Sequence, residues 1–305
     1  MNSTEPSALV ALSDELAAAV ARVAPSLVYV DGSPRRDATG VVWSARTIVT
    51  VDHVLDRDDD LEIVLEGGRR VAATLAGRDP STDLAVLHAA VDLPVAPRGA
   101  RGDLAAGHIV LAAGRDEDGR LGASFGVVSA LDGPWRTWRG GAVDRLIRPD
   151  LSMYPGFSGG PLLDAAGRVI GLNTSGLSRR TALTIPAQTI DRVAGQLESR
   201  GSVARAYLGV ALQDVRLPET LRAALGLDRR YAALVLDVAP GGPAEHAGLA
   251  LGDVLLSVGG VPVEGAEDVQ RALGGDSIGT RVALEILRGG TRGRVDAVIG
   301  ERPGE

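Results

Sequence analysis

The sequence contains no cysteine and no lysine. Without cysteine there is no disulfide framework, no thiol nucleophile and no thiolate metal site. Without lysine every non-histidine side-chain cation is arginine, which reads as a bias of composition and not as a site. Aromatics are scarce at 3%, and there are only four histidines, His53, His88, His108 and His246. With so few histidines and no HExxH pattern, a multi-His metal cage is not expected, and the reaction read from the motifs below implies no metal or organic cofactor. No apolar run approaches the roughly 18 residues that span a bilayer. Excess positive charge is also missing. The cationic residues number 32 against 39 acidic ones, a net charge of -7. A generally basic nucleic-acid binder is excluded on that ground. The opening segment MNSTEPSALVALSDEL carries Glu5 and Asp14 and no cationic start, so it is no secretory signal. The expectation is a cytoplasmic protein if the chain is complete, or one of the cell envelope or periplasm if a leader was removed.

What is present is glycine, at 40 of 305 residues, and a succession of short apolar runs. The length suggests about two domains at roughly 100–200 residues each. From Leu27 to about Pro186 the runs LVYV, TGVVW, TIVTV, LEIVL, DLAVLHA, HIVLAAG, SFGVVSAL and RVIGLNT are separated by turn signals. That spacing predicts an all-β sandwich or barrel. The connections are too short for the crossover helices of parallel sheets. Helices are expected over 8–23 and 187–199. The pattern breaks near 200–205. Beyond it, AYLGVALQDV, YAALVLDVAP, LLSVGGVPV and two closing runs read as strands. LPETLRAALGL and AEDVQRALGG read as short helices, the first with Gly226 as its stop signal.

The chemistry-bearing segment is Tyr154-Pro155-Gly156-Phe157-Ser158-Gly159-Gly160-Pro161. A serine between glycines suits a tight turn that presents its hydroxyl and leaves backbone N–H groups free. Acyl transfer needs both. The same letters satisfy G-x-S-x-G, but a nucleophile elbow requires strand, serine, helix, and then acid and histidine. Here PLLDAAGRVIGL reads as strand, turn, strand, and only His246 follows the serine. The order His53, Asp83, Ser158 fits a catalytic triad instead. His53 ends the run TIVTV, and Asp83 opens the run LAVLHA. Asp79 is a rival acid, less favoured because it precedes Pro80 in a turn. The plain alternative for Ser158 is a glycine-rich hairpin turn.

These stretches resemble the HtrA (Deg) family of chymotrypsin-fold serine proteases with a C-terminal PDZ domain. TVDHV matches the histidine motif, DPSTDLAVL the aspartate motif and PGFSGGPLLDAAGRVIGLNT the serine motif. TIPA at 184–187 resembles the end of the protease domain, and AYLGV with VAPGGPAEHAGLALGDVLLSVGGVPV resembles the PDZ domain. Tyr154, Phe157 and Asp52 depart from the family's usual residues, and DGSPRRDA is shorter than the long regulatory loop of periplasmic members.

The resemblance implies a mainly β fold, with two six-stranded barrels over 8–200 and a small α+β PDZ domain over 205–301. Ser158 is then the nucleophile, His53 the base and Asp83 the orienting acid. The oxyanion hole is expected at the N–H groups of Gly156 and Ser158, with Phe157 N–H beside them. The primary pocket is expected at Ser152, Leu183 and Ile185. Peptide binding in the PDZ module is expected at Tyr207, Leu208, Gly209, Val210, Val269 and Leu273. Expected partners are unfolded polypeptides, C-terminal peptides and further copies of the chain in a homotrimer or a multiple of one. Peptide cleavage competes with two other readings, a latent peptide-binding scaffold and an esterase. The segment 134–150 resembles the family's loop that relays ligand signals; an RNA-binding reading of its arginines beside Trp135 and Trp138 is disfavoured in an acidic chain. Asp56, Asp58, Asp59 and Asp60 read as a solvated loop, since an EF-hand's closing Glu is absent. GGPAEHAG lacks the lysine of a phosphate loop.

Overall fold

The computed structural model describes residues 7–99, 104–178, 181–274 and 277–302. Glu5 of the opening segment lies outside them. The chain divides at Val203 and Ala204 into two compact units.

The first unit opens with helix α1, Ala8–Val23, whose Ser7 hydroxyl accepts from the N–H of Val10 and so caps the first turn. Strands β1 (Leu27–Asp31), β2 (Thr39–Val42), β3 (Thr47–Thr50), β4 (Leu61–Val64), β5 (Arg70–Asp79) and β6 (Leu84–Ala89) follow. They close a barrel in the order β1-β2-β3-β6-β5-β4. A second group follows: β7 (Ile109–Arg115), β8 (Leu121–Asp132), the short hairpin β9 (Trp135–Arg136) and β10 (Ala142–Val143), then β11 (Leu146–Asp150), β12 (Pro161–Asp164), β13 (Val169–Thr174) and β14 (Leu183–Pro186). Six of these close a second barrel, β11-β14-β13-β12-β7-β8. These strand pairings are antiparallel, most of them between neighbours in sequence as short connections require, while β1–β4, β3–β6, β7–β12, β8–β11 and β11–β14 join strands farther apart.

Helix α2, Ala187–Arg200, leaves the second barrel and packs on β5 and β6 of the first. Ile190, Val193 and Leu197 share one face and are fully buried. Each contributes roughly 1.5–3 kcal/mol by leaving water. Gly201, at φ 72°, ends the helix in the left-handed region that favours glycine.

The second unit holds β15 (Ala206–Tyr207), β16 (Val210–Arg216), α3 (Glu219–Leu225), β17 (Tyr231–Val238), α4 (Pro243–His246), β18 (Val254–Val258), β19 (Val261–Pro262), α5 (Ala266–Ala272), β20 (Arg281–Arg288), β21 (Thr291–Val298) and β22 (Gly300–Glu301). Its main sheet runs β16-β17-β18-β20-β21, which leaves β16 at an edge.

Candidate active site

His53 sits in a 3-10 turn, Asp52–Val54, directly after β3, and Asp83 lies in the turn between β5 and β6. The antiparallel pairing of β3 with β6 brings those two strand ends together. His53 Nδ1 is 2.9 Å from Asp83 Oδ2 and 3.0 Å from Oδ1. The His53 backbone N–H also donates to Asp83 Oδ1, at 2.9 Å. Thr174, the last residue of β13, donates its hydroxyl to Asp83 Oδ2. The carboxylate, 4% exposed, is thus bonded to the imidazole, to a backbone N–H and to a hydroxyl. Asp83 has φ 59°, a left-handed conformation that Asp adopts more readily than most residues. Asp79 does different work. Its oxygens accept from the Ser81 N–H and hydroxyl and from the Thr82 hydroxyl, closing the turn that leads to Asp83. Thr137, in the loop joining β9 to β10, donates its hydroxyl to the Ser81 carbonyl at 2.6 Å and ties that hairpin to the same turn.

Ser158 comes from the second barrel, between β11 and β12. Two consecutive turns carry it. In the first, Phe157 N–H donates to the Tyr154 carbonyl across Pro155 and Gly156, the latter at φ 84°. Proline then glycine at these positions suits a type II turn. In the second, Gly160 N–H donates to the Phe157 carbonyl across Ser158 and Gly159, the latter at φ 79°. A Cβ on Gly159 would also lie 2.1 Å from the Thr39 carbonyl oxygen, so this position needs glycine twice over. Among the described residues, the N–H groups of Gly156 and Ser158 donate to no protein acceptor. Phe157 N–H, expected beside them, is instead taken by the Tyr154 carbonyl, because the first turn closes on it. The Phe157 side chain is a buried anchor. Its ring lies against Gly114 and Gly122, which pair across β7 and β8, and meets Tyr154 edge-on at 5.5 Å.

The hydroxyl of Ser175 lies 3.3 Å from Ser158 Oγ and 3.4 Å from His53 Nε2. Gly176 passes close to the His–Asp pair: a Cβ there would lie 2.6 Å from Asp83 Oδ2 and 2.7 Å from His53 Nδ1. Beside His53, Asp52 is buried and bonded to Arg78, Nε to Oδ1 at 2.5 Å. Burial raises the Asp52 carboxyl above its usual range, against the opposing pull of Arg78. Of the expected pocket residues, Ser152 is exposed, Leu183 is 5% exposed and Ile185 is fully enclosed in the core. No group of three or more His, Asp or Glu is placed to hold a metal ion among the described residues.

Two family models match the chain, a trypsin-like peptidase domain over residues 38–172 and a PDZ domain over 206–298. The solved HtrA-type protease AlgW with tripeptide superposes with a TM-score of 0.75 at 30% identity, over 95% of this chain and 98% of that one. This chain belongs to the HtrA family. The same protease with a decapeptide superposes with a TM-score of 0.77 at 28% identity, over 95% of this chain and 99% of that one. A probable periplasmic serine endoprotease, DegP-like, from Halomonas elongata is 36% identical over 262 residues, 84% of this chain and 54% of that protein. Its counterpart from Pseudomonas savastanoi is 35% identical over 264 residues, with 85% and 54% covered. The chain therefore spans about half the length of the curated relatives it matches. Two closed six-stranded barrels and a PDZ domain are the architecture the HtrA resemblance implied.

In the PDZ unit, Leu208 and Gly209 form the link between β15 and β16, with Gly209 at φ 81°. Ala244 N–H donates to the Leu208 carbonyl and Ala239 N–H to the Gly209 carbonyl, at 2.8 and 2.9 Å. The N–H groups of Leu208 and Gly209 have no protein acceptor among the described residues. Leu208, Val269 and Leu273 belong to one buried apolar cluster, with Val210 packed against it. No described helix is long and apolar enough to cross a membrane.

The sequence reading missed Thr39, Thr174, Ser175, Gly176 and Thr137. Thr174, Ser175 and Gly176 follow directly on the GLN of the serine motif and were within reach. Nothing local marks Thr39 or Thr137, because each acts across a long sequence separation.

Proposed function

We propose that the chain is a serine endopeptidase that cleaves unfolded or misfolded polypeptides through an acyl-enzyme. Ser158 Oγ attacks the scissile carbonyl. His53 takes its proton at Nε2 and later gives it to the leaving amine. Asp83 holds the imidazole through Nδ1 and stabilises its positive charge. The N–H groups of Gly156 and Ser158 receive the developing oxyanion. A primary pocket is proposed with Ser152, not a carboxylate, at its base and Leu183 along its wall, which favours small or medium apolar residues; Ile185, fully enclosed in the core, supports that wall from behind without lining it. The PDZ unit is proposed to add a peptide to β16 and to take its carboxylate on the N–H groups at Leu208 and Gly209, with Tyr207, Val210, Val269 and Leu273 around the last side chain. The solved AlgW structures with a decapeptide and a tripeptide support peptide binding in general. Family membership supports a homotrimer or a multiple of one, and the relatives' periplasmic names support a cell-envelope location.

One observation carries the reading. A buried, triply bonded Asp83 faces His53, and Ser158, which the Ser175 hydroxyl links to His53, rides a turn with two N–H groups that meet no acceptor among the described residues. The test is digestion of an unfolded protein such as reduced casein. The wild type should cleave it and Ser158→Ala should lose about six decades of turnover. Equal rates would end the proposal. A second reading, a latent peptide-binding scaffold, draws on the Ser175 hydroxyl, which stands between the nucleophile and the base. Labelling of Ser158 by a fluorophosphonate supports the protease; absence of labelling supports the scaffold.

A further inference from the structure

Among the described residues the two N–H groups assigned to the oxyanion hole meet no acceptor; the plane carrying the Ser158 N–H is held by its own Phe157 carbonyl, which accepts from Gly160 N–H, and beyond that the directions of both depend on neighbouring peptide planes. From Gly156 onward those planes alternate. The plane joining Gly156 to Phe157 is tied at both ends: its carbonyl accepts from the Thr39 hydroxyl at 2.7 Å, and its N–H donates to the Tyr154 carbonyl at 3.1 Å. The plane joining Ser158 to Gly159 is tied likewise: its carbonyl accepts from the Thr39 N–H at 3.0 Å, and its N–H donates to the Asn173 carbonyl at 2.9 Å. The N–H groups of Gly156 and Ser158 ride on the planes just before each of these. Glycine at 156 offers no side-chain barrier to rotation of its neighbours, so hydrogen bonds must supply it.

Both carbonyl ties come from one residue. Thr39 lies in β2 of the first barrel and is fully buried. It is held in turn, since its Oγ1 accepts from the Arg115 N–H at 2.8 Å and its carbonyl accepts from the Thr50 hydroxyl at 2.8 Å. We infer that Thr39 is a positioning residue for the oxyanion hole, fixing from the opposite barrel the two planes that aim the N–H groups of Gly156 and Ser158. The inference rests on the protease reading above. Thr39 itself meets neither substrate nor the reacting atoms. Its hydroxyl tie can be removed by a side-chain change while its N–H tie remains.

The experiment compares wild type, Thr39→Val and Thr39→Ser on one peptide substrate and on a matched pair of inhibitors. The pair is a peptide aldehyde, whose adduct places an oxyanion in the hole, and the peptide alcohol of the same sequence, which has no carbonyl or carboxylate oxygen to place there. Thr39→Val should lower kcat about a hundredfold, the usual scale of an ångström-sized misplacement, and leave KM within about twofold. Aldehyde affinity should fall by a similar factor and alcohol affinity should hold, because only the transition-state-like ligand uses the hole. Thr39→Ser keeps the hydroxyl and should restore kcat to within about threefold. If Thr39→Val does not fold, Thr39→Ala takes its place with the same expected split. Unchanged kcat, or equal losses for aldehyde and alcohol, would overturn the inference. A wild type that neither turns over nor takes up fluorophosphonate would overturn the protease reading itself, which is a different result.

Discussion

The serine turn of the first unit and the Leu208-Gly209 link of the second solve one problem by the same backbone device. Each leaves two N–H groups without an acceptor among the described residues, each contains a glycine with φ above 80°, and each has its carbonyls tied back by donors from elsewhere. N–H groups presented in this way attract negative charge. The ties differ. In the PDZ unit they are backbone N–H groups of Ala239 and Ala244, which no side-chain substitution removes. In the protease unit one of the two is a threonine hydroxyl reaching over from the other barrel. The charges differ as well. On the proposed reading the PDZ link takes a carboxylate that arrives charged, and the serine turn an oxyanion that exists only while a bond is broken. The second must be aimed in advance, and a hydroxyl, base and acid must be held beside it.

The largest effect that would sharpen this contrast comes from the acid. Asp83→Asn should keep the fold and lose about four decades of kcat, because an amide facing Nδ1 selects the wrong imidazole tautomer. C-terminal peptide binding at the PDZ unit should not change. Near-normal turnover, or a comparable loss on Asp79→Asn instead, would break the assignment. Next in size is Gly176→Ala. A methyl at 2.6 Å from Asp83 Oδ2 and 2.7 Å from His53 Nδ1 must push that pair aside. We expect about a hundredfold loss in kcat with little change in the melting of the tryptophan-bearing first unit. Full activity would mean that the segment after β13 yields freely.

These effects also show what a sequence can carry. His53, Asp83 and Ser158 could be proposed from the sequence because each sits at the edge of an apolar run or inside a glycine turn, so local pattern and chemistry coincide. The helices Ala8–Val23 and Ala187–Arg200 were readable for the same reason: capping and 3.6-residue periodicity are local. β5 was not read, because RVAATLAGRD is half exposed and carries small residues where a strand signal needs branched or aromatic ones. The hairpin β9–β10 looked like an arginine-rich loop, yet Thr137 uses it to brace the turn before Asp83. Thr39 and Gly156 stand 117 positions apart. No window along the chain contains both, so their bond is visible only once two barrels have closed.

At the PDZ link the expected effect is smaller. Peptides ending in an apolar residue should bind at about micromolar strength with a free carboxylate. Amidating the terminus should weaken binding by tenfold or more, since the N–H groups then lose a charged acceptor. Calorimetric titration of the full-length Ser158→Ala chain with paired acid and amide peptides reads this without digestion. Equal affinities would show that Leu208 and Gly209 do not hold a carboxylate, and the likeness between the two loops would end there.

The smallest effect separates the two units by the sign of a pH slope. Each unit has a buried aspartate paired with an arginine. Asp253 is bonded to Arg288 through both carboxylate oxygens, at 2.7 Å each, and those bonds hold its carboxyl below the usual range. The folded state then binds the proton more weakly than the unfolded state. The stability Asp253 contributes is fully present above the ordinary carboxyl value of about 3.9 and is lost as pH falls through the lower folded value. Asp52 runs the other way. Burial raises its carboxyl despite Arg78, so its contribution is present below the ordinary value and is lost as pH rises through the folded one. Comparing each Asp→Asn variant with wild type between about pH 3 and 6 cancels the rest of the protein. The wild-type advantage over Asp253→Asn should grow with pH, and that over Asp52→Asn should shrink, whatever constant offset each lost hydrogen bond adds. All three tryptophans lie in the first unit, so their fluorescence follows Asp52, and amide exchange at β17 and β18 follows Asp253. Slopes of the same sign would mean that Arg78 outweighs burial at Asp52, and that the residue before His53 is an ordinary ion-pair partner.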